Sequence, residues 1–134
     1  MRTLKSGTAH CAPAIPLAAD IPPQIRNQIA QLQQIQQQAQ TIVSQRVQLE
    51  MQVKEMERTL EELAKTPEDA PVYRSVGTLL IRVKDRQTVA KDLEDSKETT
   101  EVRLNSLKRQ EERLKEKLSA LQREVSAALS AGQR

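Results

Sequence analysis

His10 and Cys11 stand side by side near the N-terminus, the only histidine and the only cysteine in 134 residues. An imidazole and a thiol can begin a metal site, but zinc takes about four ligands, and no third or fourth stands nearby. The plainer reading is a free thiol on a flexible tail, with no metal site and no cofactor. One cysteine also leaves no internal disulfide framework, which suits the cytosol. For acid–base chemistry the candidates are the carboxylate pairs Glu61–Glu62 and Glu111–Glu112. Neighbouring residues on a helix do not face one another, so neither pair converges on a substrate. With only 3 glycines there is no phosphate-cradling loop, and enzymatic activity is not expected.

Charge points to no simple ligand either. The net charge is +3, yet the signs are interleaved: residues 21–85 carry eight basic and eight acidic side chains. Without a uniform basic stripe there is little to displace phosphate counterions. With Tyr73 as the single aromatic residue there is nothing to stack on bases. Nucleic-acid binding is therefore not expected, and no stretch approaches the roughly 18 apolar residues of a membrane span.

The elements that hold these residues are long helices. Few breakers, no Phe or Trp, and many Gln, Glu, Lys, Arg and Leu make poor material for a compact core and good material for helix. Steps of four and three from Ile21 reach Ile25, Gln28, Leu32, Ile35, Ala39, Ile42, Arg46, Leu49, Val53, Met56, Leu60 and Leu63, and only Gln28 and Arg46 are polar. Pro22 and Pro23 suit a helix start and Thr66–Pro67 a stop. A second seam runs through Ala90, Leu93, Lys97, Thr100, Leu104, Leu107, Glu111, Leu114, Leu118, Leu121, Val125 and Ala128. Asp85 is placed to cap that helix and Gly132 to end it. A repeat of about 3.5 residues held over several heptads predicts a coiled coil. The spacing predicts helix 1 over about 22–65, a hairpin over about 71–84 and helix 2 over about 86–130. Folded at its middle, the chain pairs residues whose numbers sum to about 153, so Leu49 meets Leu104 and Arg46 lies about one turn from Glu111. Residues 1–20 mix small residues, Gly and Pro without period, and are expected to form a disordered extension.

Between the helices the period changes. Val72–Val76 and Leu79–Val83 suit strands, and Gly77–Thr78 suits a two-residue type II′ turn. The hairpin carries Val72, Tyr73, Val76, Leu79, Leu80, Ile81 and Val83, with apolar side chains on both faces. A lone hairpin is marginal in water, and the helical seams are already occupied by each other. Open edges and exposed aliphatics favour sheet formation with other chains over a monomer. The alternative is that the hairpin folds back over the end of the coiled coil.

These residues resemble a known family. Ile21-Pro22-Pro23-Gln24, the run from Ala70 through Val76-Gly77-Thr78-Leu79-Leu80, and the stretch Thr100–Glu111 resemble archaeal-type prefoldin β subunits over about residues 20–130. The single hairpin resembles the β class rather than the α class. The resemblance implies a mainly α chain, a long antiparallel two-helix coiled coil with one β-hairpin at the bend. It further implies a hexamer of two α and four β subunits whose hairpins form a β-barrel body. The function implied is a cytoplasmic, ATP-independent holdase that grips unfolded polypeptide at the coiled-coil tips and hands it to a group II chaperonin. At the tip the folded-back register gathers Ile21, Ile25, Ile29, Leu32, Val125, Ala128 and Leu129, with Ile29 and Leu129 off the seam. Leu32 and Val125 fit equally well as the end of the core. The functional alternative is a structural coiled-coil adaptor for one specific partner, which gains nothing from a β element at its bend.

Overall fold

The computed structural model describes residues 21–132. The elements are α1 (Pro23–Lys65), β1 (Tyr73–Val76), β2 (Leu79–Arg82) and α2 (Arg86–Gly132). The expectation of a disordered extension, and the His10–Cys11 pair within it, lie outside the described residues. Contacts divide the chain into two units, one containing residues 38–115 and the other holding the segments on either side of it.

In the central unit the two helices run antiparallel, because residues that meet across them keep a nearly constant sum. Lys97 pairs with Glu57 at 3.6 Å, Arg46 pairs with Glu111, and Arg86 bonds the carbonyl of Leu63. Leu49, Val53 and Leu104 form the buried core, with Leu107 packed against it. Every seam position named from the heptads in this stretch is buried or half-buried, while Val47, Met51 and Val102, which lie off it, are exposed. The 3.6-residue helix and the 3.5-residue repeat together keep that one stripe inward.

α1 ends where the residue types require it. Pro67 cannot supply the N–H of another turn. Thr66 closes the last one, its N–H donating to the Glu62 carbonyl at 3.1 Å and its hydroxyl to the same oxygen at 2.7 Å. α2 begins on the expected cap: the Gln87 N–H donates to Asp85 Oδ1 at 3.0 Å and the Thr88 hydroxyl to Oδ2 at 2.9 Å. Gly132, expected just beyond the helix, is its last residue.

The remaining unit contains the start of α1 and the end of α2. There Gln28 Nε2 donates to Glu124 Oε2 at 3.4 Å, and Val125 is buried. Ile25, Leu32, Ile35, Leu118, Leu121 and Ala128 are half-buried.

Candidate functional site: the hairpin, a seam ion pair and the helix ends

β1 and β2 pair antiparallel as Tyr73↔Arg82, Arg74↔Ile81, Ser75↔Leu80 and Val76↔Leu79. This leaves Gly77 and Thr78 as the loop. Gly77 has φ 60° and among the described residues no non-glycine residue has positive φ, so the left-handed residue stands first in the turn, as type II′ demands. A further bond, from the Val83 N–H to the Val72 carbonyl at 2.8 Å, extends the pairing one step past the strands proper.

Directly opposed residues share a face. One face carries Arg74, Val76, Leu79 and Ile81, and the other Tyr73, Ser75, Leu80 and Arg82. All eight strand residues are exposed, Leu80 at 73% and Leu79 at 64%, while Val72 and Val83 are half-buried. The first face lies toward α2. With Val83, Val89 and Asp92 its Val76 and Ile81 line an open groove of about 400 Å³, and Arg74 reaches Asp92 at 3.6 Å. The hairpin thus leans on α2 without being covered by it. Among the described residues the sheet has two strands and both outer edges are unpaired.

Two polar seam positions, Arg46 and Glu111, form an ion pair with each other. Glu111, 8% exposed, accepts a hydrogen bond from Arg46 Nε and lies 3.3 Å from Lys115 Nζ. Arg46 Nη1 donates to Glu50 Oε1 at 2.7 Å. The bond from Arg46 holds the Glu111 carboxyl below its ordinary value, aided by Lys115 and opposed by desolvation. The same bond raises the Arg46 guanidinium. Slipping the helices by one heptad would set each charge against an aliphatic residue, so the pair discriminates between registers more than it adds stability.

Of the tip residues, Ile21, Ile25, Ile29 and Leu32 are half-buried, Val125 is buried and Leu129 is 40% exposed. Sequence reasoning missed Arg86, whose guanidinium bonds the carbonyls of both Leu63 and Pro67. A cation at a helix start was the available signal. Among the described residues no cluster of His, Cys, Asp and Glu could hold a metal ion, and no helix is long and apolar enough to cross a membrane.

Comparison with known proteins yields one family. The model described as Prefoldin subunit matches residues 26–131. The prefoldin subunit beta of Archaeoglobus fulgidus is 43% identical, over 83% of this chain and 95% of that protein. The prefoldin subunit beta of Methanosarcina acetivorans is 48% identical, over 84% of this chain and 96% of its own. Among solved structures, the prefoldin beta subunit from Thermococcus strain KS-1 superposes with a TM-score of 0.74 at 39% identity, covering 81% of this chain and 95% of that one.

Proposed function

The chain belongs to the prefoldin family, and on that footing we propose that it is a β-class subunit of an ATP-independent chaperone, which holds unfolded polypeptide and delivers it to a group II chaperonin. Four such chains and two of the α class form a hexamer in the cytoplasm, their hairpins closing into a β-barrel body. The observation that carries this reading is the hairpin, with eight exposed strand residues, two unpaired edges and aliphatic side chains on both faces. Burying one such side chain contributes about 1.5–3 kcal/mol, so neighbouring hairpins are its natural cover.

Client binding belongs to the helix ends. End turns of a helix are weakly held, and Ile21, Ile25, Ile29, Leu32, Val125 and Leu129 are aliphatics able to meet many sequences without selecting one. Several weak tips acting on one chain give useful avidity. Nothing in this scheme uses a nucleotide or a catalytic group. Deleting residues 1–29 together with 125–134 should leave the assembly intact by sedimentation and remove suppression of client aggregation. Truncated complexes that protect clients as well as intact ones would show that the tips are not the grip.

A further inference from the structure

Arg86 breaks a local rule. It is the first residue of α2, where the helix dipole favours an anion and disfavours a cation. The first turn itself contains no acidic residue, and the anion at this end is the capping Asp85 just before it. Such conflicts between local preference and the fold mark positions held for another reason.

The reason is visible in what the guanidinium touches. Nη1 donates to the Pro67 carbonyl at 2.8 Å and Nη2 to the carbonyl of Leu63. Leu63 lies in the last turn of α1, where a cation is favoured, and its carbonyl also accepts the Thr66 N–H at 3.3 Å. Pro67 begins the connection to β1. One rigid fork therefore ties the start of α2 to the end of α1 and to the lead-in of the hairpin. Beside it Asp85 caps α2 through Gln87 and Thr88, bonds confined to the helix start that reach neither Leu63 nor Pro67. Arg74 of β1 adds a contact to Asp92 on α2.

We propose that Arg86 is a positioning residue for assembly: it sets the angle at which the hairpin leaves the two helices, so that its exposed face and edges meet a neighbouring chain in one geometry. This rests on the reading of the hairpin as the assembly element. A hairpin free to swing has to be ordered when chains associate, and that ordering weakens binding; one already held does not incur it. Arginine suits the task because its planar fork spans two acceptors, whereas a lysine ammonium is a point charge on a flexible stem.

The test uses the full-length chain, alone and mixed with an α-class prefoldin chain, in a dilution series read by sedimentation. Helix content and thermal midpoint are followed by circular dichroism. Arg86→Ala should raise the concentration of half-dissociation at least about ten-fold at a temperature where helix content matches the unaltered chain. Arg86→Lys should regain the thermal midpoint but not the association, because it keeps the charge and loses the bridge. Asp85→Ala, which removes a cap without touching Leu63 or Pro67, should lower the thermal midpoint and leave association unchanged. The proposal is overturned if Arg86→Ala associates normally, if Arg86→Lys restores association fully, or if Asp85→Ala weakens it as much as Arg86→Ala does. Ile81→Asp separates the two layers. If it disperses the assembly while Arg86→Ala does not, only the positioning role fails; if it too changes nothing, the assembly reading fails first.

Discussion

The helical seam and the hairpin are made of the same residue types and treat them in opposite ways. Leu49, Val53 and Leu104 are buried in the seam, whereas Val76, Leu79, Leu80 and Ile81 stand open on the strands. The difference is geometric. A seam residue enters a hole formed by residues of the facing helix, so two helices from one chain satisfy each other. A strand residue has one neighbour across the ladder and a whole face left over, and α2 shelters only part of one face. The seam is therefore complete within a chain, and the hairpin is complete only among several.

Changes in the hairpin, the seam, its ion pair and the turn would break or sharpen that contrast. The largest effect is expected from Ile81→Asp. Ile81 is 49% exposed in the chain, so a carboxylate there should leave helix content unchanged while reducing the sedimenting species to single chains. An unaltered profile would mean that the hairpin is not the joint. Leu104→Ala is the converse test, a change inside the seam at a residue 7% exposed. It should cost about 2–4 kcal/mol in urea unfolding while leaving the assembled mass unchanged well below the melting temperature; an altered stoichiometry would deny that the seam is self-contained.

The ion pair should show a smaller and asymmetric effect. Arg46→Leu leaves Glu111 without its main partner and should destabilise more than Arg46→Leu combined with Glu111→Leu, which removes both charges. A double-mutant cycle by urea unfolding reads the asymmetry, and equal losses would show the pair to be inert. The pH dependence follows in sign. Glu111 is held below its ordinary value, so its contribution is fully present at neutral pH. That contribution is lost as pH falls below the usual glutamate value of about 4.3 toward the lowered one. Glu111→Gln should flatten this acid limb. The smallest effect is Gly77→Val. Nothing lies within 4 Å of a Cβ added there, so the main cost is the positive φ, about 1–2 kcal/mol. It should appear as reduced hairpin protection in hydrogen exchange with the seam unaffected.

Much of this was legible in the residues. The heptad positions from Ile25 to Leu63 and from Ala90 to Ala128 are all buried or half-buried, because a periodic pattern needs only one helix geometry to be read. Asp85 as cap, Thr66–Pro67 as stop and Gly77 first in the turn were legible for a similar reason: each acts on its own backbone within a few residues. The near-meeting of Arg46 and Glu111 followed from counting inward from the bend. The roles proposed for the hairpin and the tips were not legible in this way, since a residue's readiness to meet another chain leaves no periodic mark.

What the sequence by itself determined is the local grammar: two helices, their facing stripes, the stop, the cap and the turn. Only the tertiary structure decided which hairpin face leans on α2, how deeply Glu111 is enclosed, and that Arg86 reaches back to Leu63 and Pro67 rather than into water. Those outcomes depend on how closely segments from 19 to 65 residues apart approach once the chain has closed on itself. Side-chain reach across such a closure is set by packing, which no short-range pattern encodes.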